Sequence, residues 1–271
     1  MDECWFREYK DATLCHDTSI KTGTAIHLDN NDHSITNCVV FCSLQGVVVN
    51  GSATIVSGLH VYTEGITRYP LGAVYVTAGT SYVRLEGCYF DGCPVFADDP
   101  QNLIISDSLW LLGEGDSSPG LSPIVFTRTA RMTVMSAVQV VNNVAGGRPE
   151  NNSFVKLNES GMEDGRSFDH DTVVEVVVDN NLISPWDVTQ GMRTASTRAQ
   201  LTVNYEGPTA VFIADFSHRL LFRPRRLPMV LYSLQLSLGP TVSTAHALIA
   251  DGEDGANVVQ VCVQTLRLFP P

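Results

Sequence analysis

Between residues 20 and 145, apolar residues come in short runs broken by polar or small ones, and the 3.6-residue spacing of an amphipathic helix is almost absent. One short phrase recurs: "MDECWF" from Met1, "ITNCVVF" from Ile35, "VSGLHVY" from Val56, "LEGCYFDGC" from Leu85, "ISDSLWL" from Ile105 and "VMSAVQV" from Val134. Each has an apolar residue, two mostly polar or small positions, then an apolar run. Their third positions are Glu3, Asn37, Gly58, Gly87, Asp107 and Ser136. A second series alternates with the first: "AIHLD" from Ala25, "VVVNG" from Val47, "AVYVT" from Ala73, "VFADD" from Val95, "IVFTR" from Ile124 and "FVKLN" from Phe154. Each cycle therefore carries two short β-type segments, rich in Val, Ile, Phe and Tyr and parted by Gly, Asn, Asp and Ser.

A fixed pair of strands recurring every 20 to 30 residues or so is the mark of a stack of coils. Like strands of successive coils then pair at about 4.8 Å into long parallel sheets. Longer cycles hold "EGITRYPLG" (64–72) and "EGDSSPGLSP" (114–123), whose Gly, Pro and Ser suit loops that bulge out of one turn. Weaker coils reach "TVVEVVV" (172–178).

From about Leu182 the pattern changes. Residues 182–198 read as a connector. Longer segments follow at Ala199, Ala210, Met229 and Val258, and the alternation Val259, Val261, Val263 predicts antiparallel strands with one buried face. The expected organisation is an all-β chain: a right-handed parallel β-helix over 1–181, the connector, and a small antiparallel β-sandwich or sheet over 199–271.

The paired strand series resembles the pectate-lyase-like right-handed parallel β-helix superfamily. That resemblance implies a carbohydrate-active protein acting on or binding a polysaccharide along a groove on one parallel sheet, as a lyase, glycoside hydrolase or glycosyl transferase. It also implies an extracellular or virion-associated setting and a homo-oligomer, such as a trimer. The alternative is a non-catalytic structural or adhesive β-helix of the viral or phage tail-fibre type.

Charge narrows the partners. Seventeen Lys and Arg against 29 Asp and Glu give a net charge of −12, which disfavours nucleic acid and anionic membranes. No apolar run is long enough to span a bilayer, and no signal peptide is apparent. The 44% hydrophobic content supports a sizeable core. The seven cysteines show neither paired CxxC nor zinc spacing; free buried thiols are the expected state, with a Cys88–Cys93 disulfide as the alternative. Asn50-Gly51-Ser52, Asn151-Asn152-Ser153 and Asn158-Glu159-Ser160 fit the N-glycosylation sequon, which matters only in a secreted chain.

Candidate chemistry comes from the second series. If Ile26, Val48, Val74, Phe96, Val125 and Val155 point inward, alternation sets two rows outside. One is His27, Val49, Tyr75, Ala97, Phe126 and Lys156; the other is Asp29, Gly51, Thr77, Asp99, Arg128 and Asn158. Asp99, Arg128 and Lys156 are then the catalytic candidates, with His27, Asp29, Tyr75 and Thr77 as substrate-binding candidates. Arg128 would keep Asp99 ionised, suiting a base or nucleophile. Asp98-Asp99 also resembles the paired aspartates of polygalacturonase-type hydrolases, but the Asn-Thr-Asp, Gly-His-Gly and Arg-Ile-Lys elements of that pattern are missing. The competing reading makes Asp98-Asp99-Pro100 a plain turn.

No cofactor or metal is called for. Asp169, His170 and Asp171 read as an acidic loop. Asp251, Glu253 and Asp254 offer oxygens to Ca²⁺ without the spacing of a calcium loop. The first phrase opens inside a coil, so a missing segment or a partner is expected over Met1–Phe6.

Overall fold

The computed structural model describes residues 5–7, 23–62, 71–112, 122–127, 135–147, 154–158, 173–184, 209–215, 241–251 and 257–267. Every regular element among them is a strand. Nineteen short strands form three parallel sheets, and the chain visits the sheets in strict rotation.

Sheet I holds Thr24–Asp29, Gln45–Asn50, Val74–Val76, Val95–Asp98, Ile124–Thr127 and Val155–Leu157. Sheet II holds Ser34–Thr36, Thr54–Ser57, Ser81–Glu86, Gln101–Ser106, Met135–Val141 and Val173–Asp179. Sheet III holds Trp5–Arg7, Val39–Phe41, His60–Tyr62, Tyr89–Asp91, Leu109–Leu111, Val144–Gly146 and Leu182–Ser184. One strand from each sheet makes one coil of a parallel β-helix.

The core is a set of stacked columns, because like positions of successive coils pair in register. In sheet I, Ile26, Val47, Val74, Val95, Ile124 and Val155 align. In sheet II the inward column is Ile35, Val56, Leu85, Ile105, Val140 and Val178. In sheet III it is Val40, Val61, Phe90, Trp110, Ala145 and Ile183. All of these are buried. Trp110 lies 4.9 Å from Phe90 and 5.5 Å, edge to face, from Phe154, so aromatic packing fills the middle coils.

The repeated phrase is the bend between sheets II and III, so it spans two strands rather than one. Three strands, not two, make each coil. At its third position the backbone turns left-handed: Asn37 (φ 50°), Gly58 (61°), Gly87 (60°), Asp107 (53°), Asn142 (59°) and Asn180 (53°). Gly, Asn and Asp tolerate that conformation best, which explains the composition of the column. The next residue points inside: Cys38, Leu59, Cys88, Ser108, Asn143 and Asn181. The copy at Val134 is therefore out of register. The fifth bend is "VVNNVAG" (140–146), since Val140 pairs with Ile105 and Val144 with Leu109.

Inside the bend runs a ladder of buried hydrogen bonds. Asn143 donates its amide to Ile105 O (3.0 Å) and Asn181 Oδ1 (2.9 Å), and Asn181 donates to Val140 O (2.8 Å). Ser108 N donates to Asn143 Oδ1 (3.0 Å), and Cys88 N to Ser108 Oγ (3.1 Å). Side chains thus satisfy backbone groups that a sharp bend would orphan.

Cys38, Cys88 and Cys93 are buried and not disulfide-bonded, which removes the Cys88–Cys93 bridge. Burial pushes the Cys88 thiol up to about 11, so it packs as a small apolar group. Cys42, by contrast, is disulfide-bonded, against the expectation of free thiols throughout.

The chain divides into two compact units, Met1–Thr197 and Arg198–Pro271. The parallel sheets continue through Leu182–Ser184, inside the segment expected to be a connector. In the second unit Thr209–Asp215, Asn257–Arg267 and Thr241–Asp251 pair antiparallel, with Asn257–Arg267 in the middle. No helix among the described residues is long and apolar enough to cross a membrane.

Candidate functional site

Sheet I presents its outer face as two rows of side chains. The register corrects the rows expected from sequence. The first row is His27, Val48, Tyr75, Phe96, Val125 and Lys156. The second follows from Asp29 paired with Asn50 and Asp98 paired with Thr127; Thr77 and Asn158 hold the same place just past their strands. Val49, Ala97 and Phe126 point inward instead, and Gly51 and Asp99 fall one position beyond the row.

The cause of the slip is local. "VVVN", "VFAD" and "IVFT" are apolar at nearly every position, and Val95–Asp98 and Ile124–Thr127 are buried on both faces. Alternation then carries no phase, and a one-residue shift exchanges inside for outside. His27, Asp29, Tyr75, Thr77 and Lys156 do face outward as expected. Arg128 lies outside the described residues.

The first three coils carry an open polar network. Asp29 Oδ1 accepts a hydrogen bond from Asn50 Nδ2 (3.0 Å), and His27 Nε2 stands 3.4 Å from the same oxygen. Thr77 Oγ1 donates to Asn50 Oδ1 at 2.8 Å. His33 Nε2 lies 2.6 Å from Asp29 O. The sheet register thus converts residues more than 20 apart in sequence into neighbours along one line.

In the next two coils the same face is covered. Phe96 is 3% exposed and Val125 7%, although both point away from the core. Asp98 is 2% exposed and accepts a hydrogen bond from Thr127 Oγ1 (3.2 Å). Asp99 is fully buried at φ 44°, turning the chain toward sheet II, and its N–H donates to Thr127 O (2.9 Å). Asp98 thus ends the strand on the row, and Asp99 lies in the bend. Lys156 is half-buried one coil beyond Val125.

Sheet III carries a second polar group, whose His60 the sequence pattern does not mark. His60 stacks on Tyr89 (4.3 Å between ring centres), and Phe41 on Tyr62 (4.8 Å). Burial lowers the His60 pKa from the usual histidine value, partly offset by Asp91. Burial, then Asp91, raises that of Tyr89. The available signal was position: His60 and Tyr89 both stand two residues after the left-handed residue of the bend. Among the described residues no three His, Cys, Asp or Glu side chains converge as a metal site. Asp169, His170, Asp171, Glu253 and Asp254 lie outside the described residues, as does the side chain of Asp251.

Over 216 residues the chain is 31% identical to polygalacturonase QRT3 of Arabidopsis thaliana, a match that spans 80% of this chain and 40% of that relative. With three parallel sheets wound in rotation, this decides the architecture. The chain is a right-handed parallel β-helix. It spans well under half the length of the relative. No family model matches the chain, and no solved structure matches it.

Proposed function

We propose that this β-helix acts on a pectin-like, polygalacturonate-type polysaccharide along the outer face of sheet I. The likeness to a polygalacturonase over most of the chain carries the reading. The shape of the face supports it, since successive coils at about 4.8 Å offer a polymer successive contacts. The relative's length leaves room for further groups beyond those of this chain.

In this reading Asp98 and Asp99 are the acid/base pair, and Lys156 and Arg128 meet the carboxylates of the uronate chain. Tyr75 and Thr77 bind the adjacent sugars, with His27 and Asp29 at the far end. Hydrolysis needs one carboxyl to protonate the glycosidic oxygen and a second to activate water or attack the sugar. Asp98 stands on the row itself, and Thr127 fixes its orientation. Cationic neighbours also answer the net charge of −12, which would otherwise repel a polyanion.

The test is incubation with polygalacturonate and with neutral glucans. Reducing ends released from polygalacturonate alone, without absorbance from unsaturated sugars, support hydrolysis. Unsaturated products would redirect the reading to a lyase, and no turnover of polygalacturonate would overturn it.

A further inference from the structure

The sequon Asn50-Gly51-Ser52 belongs to a built position on the sheet I face, and it is independent of the proposed catalysis. Asn50 ends the strand Gln45–Asn50 and is exposed. Its amide is already oriented: Oδ1 accepts from Thr77 Oγ1 (2.8 Å), and Nδ2 donates one proton to Asp29 Oδ1 (3.0 Å). A primary amide has two N–H protons, so one remains outside this pair of bonds. Gly51 is held by packing, since a Cβ there would stand 1.3 Å from Asn30 O. Ser52 completes the tripeptide beside Ser81.

A second observation sets the compartment. Cys42, in the same coil, is disulfide-bonded. Disulfides persist in oxidising compartments, and in eukaryotes the secretory lumen is also where sequons are glycosylated. We infer that Asn50 is an N-glycosylation site. In that transfer Nδ2 attacks the anomeric carbon of a lipid-diphosphate-linked oligosaccharide. The new N–C bond replaces the carbon–oxygen bond to the diphosphate, which departs with the lipid, and Nδ2 gives up one proton.

The secondary amide that results keeps one N–H for Asp29 and its carbonyl for Thr77, so the ladder survives the modification. A glycan here stands on the groove row between Asp29 and Thr77.

The full chain, passed through the secretory pathway of a eukaryotic host, provides the test. Peptide-N-glycosidase F in ¹⁸O-water converts each glycosylated asparagine to labelled aspartate. The expected result is label at Asn50 in most molecules, its loss in Ser52→Ala and its retention in Ser52→Thr. Secreted protein whose Cys42 disulfide is intact and whose Asn50 is unlabelled would overturn the inference. Catalytic activity plays no part in this readout, so its failure and that of the proposed function are separable.

Discussion

The bend between sheets II and III and the outer face of sheet I are built from the same coils, yet they obey different rules. At the bend, one backbone conformation repeats in six coils, and the residues that fill it are Gly, Asn or Asp. On the sheet I face the backbone repeats but the side chains do not: His27, Tyr75, Phe96 and Lys156 share one row. The bend is where the stack is held, and the face is where it can be varied freely. A polymer-binding surface needs such freedom, because each coil can then meet a different part of the ligand.

The difference should appear first as stability. Asn143→Ala removes the centre of the buried ladder and strands Ser108 N–H, while Asn181 Oδ1 keeps only the backbone N–H of residue 143. At about 1–3 kcal/mol for a buried donor left unpaired, the loss should be roughly 2 kcal/mol or more in urea unfolding. A loss below about 1 kcal/mol would make the ladder decorative.

Gly58→Ala comes next. Its Cβ would meet Asn37 Oδ1 at 2.5 Å, at φ 61°. The left-handed backbone alone costs an L-residue about 1–2 kcal/mol. Gly87→Asn is the matched control in the same column, with nothing within 4 Å of the added Cβ. Asn already fills this place at Asn37, Asn142 and Asn180, so the change should stay within about 0.5 kcal/mol. Equal penalties at the two glycines would contradict the bend as described.

The sheet III face gives the smallest effect, through pH. His60 is lowered by burial, so the folded chain binds fewer protons than the unfolded one just below the usual histidine value of 6.5. Stability should therefore be complete above that value and fall as pH drops through it toward the lowered folded pKa. In His60→Phe this slope should flatten, read as the change of the urea midpoint between pH 7 and pH 5.5.

The same contrast explains what could be read in advance. The coil repeat was legible because the bend demands particular residue types, and Gly87-Cys88 or Asp107-Ser108 advertise it. The sixth copy misled because "VMSAVQV" imitates the phrase while the true bend, Asn142-Asn143, lies six residues on. Sheet I resisted for the opposite reason. Where Val95–Asp98 and Ile124–Thr127 are covered on both faces, hydrophobicity no longer marks the inside. Asp99 was therefore set on the row that Asp98 occupies. The half-buried histidine of sheet III carried no pattern, since it stands in a column with Val39, Tyr89 and Leu109.

The claim that the sheet I face is the working surface rests most directly on Asp98. Asp98→Asn keeps the size of the side chain and its bond to Thr127 Oγ1, so folding should be preserved. Release of reducing ends from polygalacturonate should fall by about a hundredfold or more, the usual range for loss of a general acid or base. Unchanged turnover in a variant with the parent's unfolding midpoint would contradict the account.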